Sequence, residues 1–399
     1  MLRLPGRLIH HNTLAAVEEV KARLNGAEPQ SSRPDEELSE SQTSAARHGS
    51  GPARISAPAG SGKTRVIAAR VKGLISTGVE PSRICAISFT NRAVEEMRSR
   101  LSDADAAGTR FTTIHRLAKL IAESGPYGRK RRLIQGGRSS RTPTRWQVLA
   151  PLLSDDERFW RARDVWLDAI NVYRQCFTVP DLTDFPPAKR PIPERVVELH
   201  QAYDAELERR GLTDFEGYIL NALRALARSA DYRRQWASRH DHWIVDEYQD
   251  LPAAKLALLR LLASPQDNLF VVGDDDQIIY GFAGANPRSF ADFPSIYPRA
   301  VDFRLGDNYR CDHEIVVRSS WLISRNALRI AKPIRPVRPP GAPGVVKIGD
   351  AAVYDEDALR FVERELGRGV QPHEIALLFR LKDFAAPVER RLENAGIPY

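Results

Sequence analysis

The sequence predicts an α/β fold in which helices cover both faces of a parallel β-sheet and a helical segment is inserted into it. Four short apolar runs indicate the sheet, because turn residues bound each run and helical segments separate them. They are residues 84–89, 111–114, 243–245 and 269–272. Residues 118–239 have mostly helical periodicity and no clear strand alternation, which favours a helical insert.

A glycine-rich loop lies between a short predicted strand at 54–56 and a predicted helix at 65–74. Small residues let backbone N–H groups approach the oxygens of a polyphosphate, a lysine adds an ammonium group, and a hydroxyl can hold Mg²⁺. The loop consists of Ala57, Pro58, Ala59, Gly60, Ser61, Gly62, Lys63 and Thr64. Ala57 departs from the pattern, which usually has its first glycine there, and alanine does not adopt positive φ at low cost. A Gly-Ser turn that precedes Lys-Thr by chance is the alternative.

Two carboxylates end the apolar run of residues 243–245. Asp246 and Glu247 provide one group for a metal ion and one to orient or activate water. A helix cap after a strand is the alternative interpretation of the pair. Together with the glycine-rich loop, they predict binding and hydrolysis of a nucleoside triphosphate.

Length and composition favour a globular protein of two or three domains. The chain has 399 residues, of which 42% are hydrophobic and 28% charged. No apolar run approaches the ~18 residues needed to span a bilayer, so no membrane partner is expected. The three widely separated cysteines fit neither a disulfide framework nor a zinc site. We therefore expect a reduced, cytoplasmic protein, associated with the nucleoid if the source is bacterial.

The net charge of +8 and the pI of about 9.5 favour a polyanionic partner. Residues 129–145 contain seven Arg or Lys and no acid. A loop that contacts phosphates and a solvated basic loop explain this stretch equally well.

The remaining segments are predicted from composition and periodicity. Residues 14–24 predict a short helix, and the Pro-, Ser-, Glu- and Gln-rich residues 26–41 predict a linker. The Pro-rich residues 332–343 predict a further linker or edge segment, followed by strands of a second sheet at 345–348 and 375–379.

With these segments in order, the chain resembles the UvrD/Rep/PcrA group of superfamily 1 DNA helicases. The resemblance rests on six or seven ordered motifs between about residue 38 and residue 399. They are the Q motif at 38–42, motif Ia at 87–97, motif Ib at 112–115, motif II at 245–250, motif III at 272–285, motif IV at 307–310, and the segment 375–399 that ends Gly-Ile-Pro-Tyr.

The resemblance implies ATP and Mg²⁺ as cofactors and a role for each nucleotide-site residue. Lys63 would contact the β- and γ-phosphates, and Thr64 and Asp246 would hold Mg²⁺. Glu247 would orient or activate water. The remaining roles are γ-phosphate sensing by Gln277, an arginine finger at Arg310, adenine recognition by Gln42, stacking by Tyr309 and phosphate-loop contact by Arg65.

The resemblance also implies binding of single-stranded or partly duplex DNA. The residues at the matching positions are Phe89, Asn91, Thr113, His115, Tyr280 and Phe282. Core packing is the alternative for Tyr280 and Phe282, and a buried histidine is the alternative for His115. The family usually has Trp and Arg where this chain has Phe282 and Ala283, which predicts weaker DNA affinity or coupling.

The implied organisation is an extension at 1–37, a RecA-like domain at 38–117 and 240–303 that contains the DNA-contacting insert 118–239, and a partial second RecA-like domain at 304–399. The implied function is an ATP-dependent 3′-to-5′ helicase or translocase in DNA repair or recombination. The family's late motifs are not found before residue 399, so we expect weak or absent unwinding by this chain alone. A protein partner could supply the missing motor half. The alternative is a motor-deficient nucleotide- and DNA-binding protein.

Overall fold

The computed structural model describes residues 37–125, 128–134, 142–155, 157–158, 162–177, 193–279, 281, 284–341, 354–379 and 382–399. These residues fall into two compact units, one ending at residue 341 and one that contains residues 354–399. The predicted helix at 14–24 and the predicted strand at 345–348 lie outside the described residues.

The strands are β1 (Ala53–Ser56), β2 (Ile84–Ser88), β3 (Arg110–Thr113), β4 (Arg132–Leu133), β5 (Leu212–Thr213), β6 (His242–Val245), β7 (Leu269–Gly273), β8 (Val301–Arg304), β9 (Asp307–Asn308) and β10 (Arg335–Pro336). The α-helices of the first unit are Glu40–Ala46, Lys63–Ser76, Asn91–Ser99, Asp103–Ala106, Ile114–Ser124, Arg145–Leu149, Ala162–Cys176, Pro193–Arg209, Phe215–Arg228, Ala230–Ala237, Ala253–Ala263, Pro287–Ala291, Phe293–Ile296 and His313–Ile323. The second unit contains helices Tyr354–Gly367 and Ala385–Asn394.

Six strands form one parallel sheet in the order β3-β2-β6-β7-β1-β8. Successive residues of each central strand enter opposite cores: Trp243 and Val245 pack on one face, and Ile244 packs on the other. Because both faces are buried, the strands read as continuous apolar runs rather than as alternating ones. The predicted α/β fold with a parallel sheet covered on both faces is confirmed.

The inserted segment has its own core. Trp166, Ile170, Leu199 and Tyr203 are buried there with nine further apolar residues. The expectation of an insert without strands is wrong in one detail, because β4 and β5 pair as a two-residue parallel ladder.

One other expectation needs correction. The predicted linker 26–41 ends earlier, because Ser39 caps a helix that begins at Glu40. The Pro-rich residues 332–343, predicted as a linker or edge segment, include β10, which pairs with β9 and so agrees with the edge-segment alternative. Residues 375–379 are predicted as a strand, and their predicted neighbour, 345–348, lies outside the described residues, so the second sheet stays a prediction.

Candidate functional site

Most of the predicted nucleotide residues follow β1, β6 and β7, three neighbouring strands of the parallel sheet. Since carboxyl ends of parallel strands meet at one edge, the loops after Ser56, Val245 and Gly273 emerge side by side. The N–H group of Ala57 donates to the Gly273 carbonyl (2.9 Å), and the Asp246 N–H donates to the Ile87 carbonyl (2.9 Å). These bonds fix the starting points of the loops.

The loop at 57–62 leads directly into the helix Lys63–Ser76. Gly60 and Gly62 both have positive φ (73° and 84°), a conformation that favours glycine. Gly62 is the N-cap and has no side chain to cap the helix, so the first N–H groups and the positive end of the helix dipole are available to an anion. The Lys63 ammonium donates to the Ala57 carbonyl (3.3 Å), which places this cation over the loop.

Ala57 causes no backbone strain at the position where the pattern usually has glycine. Within the described part of the chain, only Phe177, Glu247 and Asp267 are non-glycine residues with positive φ. Ala57 is fully buried beneath the loop. The departure from the sequence pattern is therefore compatible with the loop geometry.

Two further segments, one before and one after the phosphate loop in the chain, form hydrogen bonds with it. On one side, the Gln42 amide donates to the Ser61 carbonyl (2.9 Å). On the other, Asn308 donates to the Ala59 carbonyl (2.8 Å), and the Tyr309 N–H donates to the Gly60 carbonyl (2.9 Å). The structure thus brings the predicted adenine reader and the Tyr309-Arg310 pair to the loop.

The loop glycines are also required by this close approach. A Cβ atom on Gly60 would lie 2.6 Å from the Asn308 Oδ1 and 2.9 Å from the Arg310 Cβ. A Cβ atom on Gly62 would lie 2.6 Å from the Gln42 Nε2. A larger residue at Gly60 would displace the 308–310 segment, and one at Gly62 would displace the Gln42 amide.

The acidic pair after β6 is tightly held. Glu247 adopts a left-handed backbone conformation (φ 50°), which is uncommon for a non-glycine residue. Its carboxylate accepts a hydrogen bond from the Gln249 amide (2.8 Å), and the Gln249 carbonyl oxygen accepts one from the Asp274 N–H (3.1 Å). Gln249 therefore connects the loops after β6 and β7.

Burial raises the pKa of Asp246, and repulsion by Glu247 raises it further, whereas the Lys63 ammonium opposes the shift. A buried carboxylate next to a second carboxylate is stabilised in its charged form by a cation. This electrostatic environment and the oxygen donor set suit Mg²⁺.

Gln277 lies in a short 3₁₀ turn, Asp275–Gln277, after β7. Its amide donates to the Asp274 carboxylate (2.6 Å). The sequence interpretation did not assign roles to Asp274 or Gln249, although both stand inside the motifs it used. In the sequence, both are recognisable as polar residues that follow apolar runs.

Four of the predicted DNA residues, Phe89, Asn91, Thr113 and His115, lie at the ends of β2 and β3, at the same edge of the sheet. Phe89 is half-buried, with the Lys255 ammonium 5.3 Å from the centre of its ring, and Asn91 is exposed. Thr113 is buried, and its hydroxyl caps the helix Ile114–Ser124 by accepting the Arg116 N–H (3.3 Å). Tyr280 and Phe282 lie outside the described residues.

His115 is half-buried beside the exposed ring of Phe215, at a ring separation of 5.6 Å. Burial, with a smaller effect of Lys255, lowers the pKa of His115 to about 3, so the ring is neutral at pH 7. Phe215 was missed by the sequence interpretation, since a single aromatic residue in a helical insert has no distinctive pattern.

The basic stretch 129–145 is described only at its ends. Arg131 pairs with Glu208 (3.0 Å), and Arg145 lies 3.5 Å from the buried Asp214. These two arginines form ion pairs within the insert. For the rest of the stretch, a loop that contacts phosphates and a solvated basic loop both stay predictions.

No helix in the described residues combines the length and the hydrophobicity required to cross a membrane.

Comparison with known proteins finds a match to the UvrD/REP helicase N-terminal domain family over residues 38–298. ATP-dependent DNA helicase UvrD2 of Mycobacterium tuberculosis is 29% identical over 373 residues, 88% of this chain and 53% of the relative. ATP-dependent DNA helicase PcrA of Leuconostoc citreum is 29% identical over 379 residues, 91% and 49% of the respective chains. DNA helicase II of Escherichia coli is 29% identical over 358 residues, 86% and 48%. The chain spans about half the length of the curated relatives it matches.

Proposed function

Because the chain belongs to the UvrD/REP helicase N-terminal domain family, we propose that it carries the ATP-hydrolysing motor of a DNA helicase or translocase. The motor binds ATP with Mg²⁺, binds single-stranded DNA, and hydrolyses ATP faster when DNA is bound. The observation that carries the proposal is the placement of a phosphate-type loop beside the buried Asp246 and its neighbour Glu247 at one edge of a parallel sheet.

Phosphate binding is assigned to residues 57–65. The N–H groups of the loop and the uncapped start of the helix attract the anionic oxygens, and Lys63 supplies a positive charge next to them. Thr64 and Asp246 would hold Mg²⁺, which neutralises phosphate charge when bound. The raised pKa of Asp246 supports this assignment, because its carboxylate is costly to ionise without a cation.

Water activation is assigned to Glu247. Its left-handed backbone and its bond to Gln249 fix the direction of the carboxylate before ATP binds. Gln277, held by Asp274, would sense the γ-phosphate through its amide, which offers both a donor and an acceptor.

Arg310 would stabilise negative charge in the transition state. Its proximity to Gly60 supports this role, because the guanidinium group is carried by the segment that bonds the loop. Gln42 would read adenine and Tyr309 would stack on it, a role supported by the contact of both segments with the loop.

DNA binding is assigned to Phe89, Asn91, Thr113, His115, Tyr280 and Phe282, with Phe215 added from the structure. An exposed aromatic ring stacks on any base, which suits movement along a strand without sequence preference. On the basis of the family we propose 3′-to-5′ movement and a role in DNA repair or recombination in the cytoplasm. We also propose that a second motor half acts with this chain, supplied by a longer protein or by a partner.

The test is ATP turnover by the 399-residue chain with and without single-stranded DNA. Wild type should be stimulated by DNA, and Lys63→Ala should lose about 10²- to 10³-fold in turnover, the size expected for removal of one group that stabilises developing charge. Lys72→Ala, which removes an exposed lysine from the same helix, is the matched control and should behave as wild type. Nucleotide binding without any turnover would instead favour a motor-deficient binding protein.

A further inference from the structure

Three consecutive aspartates follow β7 at the centre of the sheet edge. Asp274, Asp275 and Asp276 each present a carboxylate oxygen, and these oxygens lie within 4.8 Å of one another. Asp274 and Asp275 are buried. Carboxylates this close repel one another strongly when water is excluded, so the loop requires positive charge.

Lys332 supplies that charge from a segment 56 residues further along the chain. Its ammonium lies 2.9 Å from the Asp274 Oδ1, 2.5 Å from the Asp275 Oδ1 and 2.8 Å from the Asp276 Oδ2. The side chain is fully enclosed. Burial alone would lower the pKa of Lys332, but the three carboxylates more than compensate and raise it. Lys332 therefore stays charged.

The residues just before Lys332 hold the same loop. Arg329 pairs with Asp276 (2.9 Å), and the Ile330 N–H donates to the second oxygen of Asp275 (2.6 Å). Residues 329–332 thus lie along the three aspartates, with Lys332 at the position that contacts all of them.

Asp274 connects Lys332 by hydrogen bonds to the two groups assigned to hydrolysis. Its second carboxylate oxygen accepts from the Gln277 amide (2.6 Å). Its N–H group donates to Gln249, whose amide in turn holds Glu247. Lys332 is therefore connected through Asp274 to both the predicted γ-phosphate sensor and the predicted water-orienting carboxylate.

We propose that Lys332 is a positioning residue of the hydrolysis site, which keeps Asp274 oriented so that Gln277 and Gln249 are aligned before ATP binds. This inference rests on the proposed function. Without the ammonium, the Asp274 carboxylate turns away from Asp275 and Asp276, and the acceptor for Gln277 moves with it. No local sequence pattern indicates this role, because the residue lies in a Pro-rich stretch predicted as a linker or edge segment.

The experiment measures kcat and KM for ATP, at saturating single-stranded DNA, in wild type, Lys332→Met, Lys332→Arg and Arg329→Met. Lys332→Met should lower kcat about 10- to 100-fold, the range seen when outer-shell partners of a catalytic group are removed. The KM should change less than about threefold, because alignment for the chemical step is lost rather than binding. Lys332→Arg keeps the charge and should recover most of kcat.

Arg329→Met is the matched control, since Arg329 forms its ion pair with Asp276, two residues beyond Asp274. Its kcat should stay within about threefold of wild type. Since Lys332→Met leaves three carboxylates without their shared cation, Lys332→Met/Asp275→Asn is measured beside it, and circular dichroism verifies folding. The double variant removes one carboxylate charge and should also show low kcat.

A folded Lys332→Met or double variant with kcat within about threefold of wild type overturns the inference. Equal losses in Lys332→Met and Arg329→Met also overturn it, because they would indicate general destabilisation of the loop. A wild-type chain without any ATP turnover overturns the proposed function and this role with it.

Discussion

The two halves of one sheet edge are built in different ways. At the ends of β6, β7 and β1, the nucleotide side consists of polar side chains joined by hydrogen bonds, such as Gln249 with Glu247 and Gln277 with Asp274. At the ends of β3 and β2, the DNA side consists of rings and small polar groups, with Phe89 over a lysine and His115 against Phe215.

This difference follows from what each half is proposed to bind. Hydrolysis requires groups fixed to within about 0.5 Å, and a network of hydrogen bonds provides that before the ligand arrives. Binding to any base requires only an aromatic face, whereas a network of oriented donors would select particular bases. Small changes of geometry should therefore abolish hydrolysis on the nucleotide side, whereas loss of aromatic contact area should weaken DNA binding on the DNA side.

The largest expected effect is on the nucleotide side. Glu247→Gln keeps the shape of the side chain and removes its negative charge, so it should lower ATP turnover about 10²- to 10⁴-fold, the contribution of a general base. Affinity for single-stranded DNA should change less than about twofold, because Glu247 lies at the end of β6 rather than of β2 or β3. Steady-state turnover and fluorescence anisotropy with labelled DNA measure the two quantities. A parallel loss of DNA affinity would show that the halves are not separable.

The next effect is on the DNA side. Phe89→Ala removes a stacking surface and should weaken binding of single-stranded DNA by about 1–3 kcal/mol, the contribution of one stacked base. Phe89→Tyr retains the ring and should bind within about threefold of wild type. Anisotropy titrations at fixed ionic strength measure the change, because DNA affinity depends steeply on salt. Equal affinities of Phe89→Ala and wild type would assign Phe89 to the core.

Much of this architecture could be predicted from the sequence. The strands β2, β3, β6 and β7 were predicted from apolar runs, and β1 was predicted from its position before the glycine-rich loop. The ends of these strands carry the proposed site. In contrast, β8 has the mixed sequence Val-Asp-Phe-Arg and lies at the edge of the sheet with exposed residues, so it has no apolar run to detect.

The contacts that hold the site together were harder to predict. Gln249 and Asp274 were visible as polar residues, but their pairing depends on the sheet order that places β6 beside β7. The approach of Asn308 to the phosphate loop and of Lys332 to the aspartates joins residues that are far apart in the chain. Such contacts follow from tertiary structure and leave no local periodicity.

The smallest expected effect tests how closely the nucleotide side is packed. Gly60 and Gly78 both have positive φ (73° and 91°), so alanine at either position incurs a backbone cost of about 1–2 kcal/mol. Their surroundings differ: a Cβ atom on Gly78 meets nothing within 4 Å, whereas one on Gly60 meets Asn308 and Arg310. Asn308 has little freedom to move, because its Oδ1 accepts the N–H groups of Arg310 (3.0 Å) and Cys311 (2.8 Å).

Gly60→Ala should therefore push the 308–310 segment away from the loop and weaken binding of a fluorescent ATP analogue about tenfold, which corresponds to about 1.4 kcal/mol. Gly78→Ala should lower thermal stability about as much as the backbone cost in Gly60→Ala does, and it should leave ATP affinity unchanged. The difference between the two variants isolates the contact from the backbone strain, since both variants share the latter. Equal ATP affinities would mean that the 308–310 segment yields without consequence, and that hydrogen bonding on this side is looser than the distances indicate.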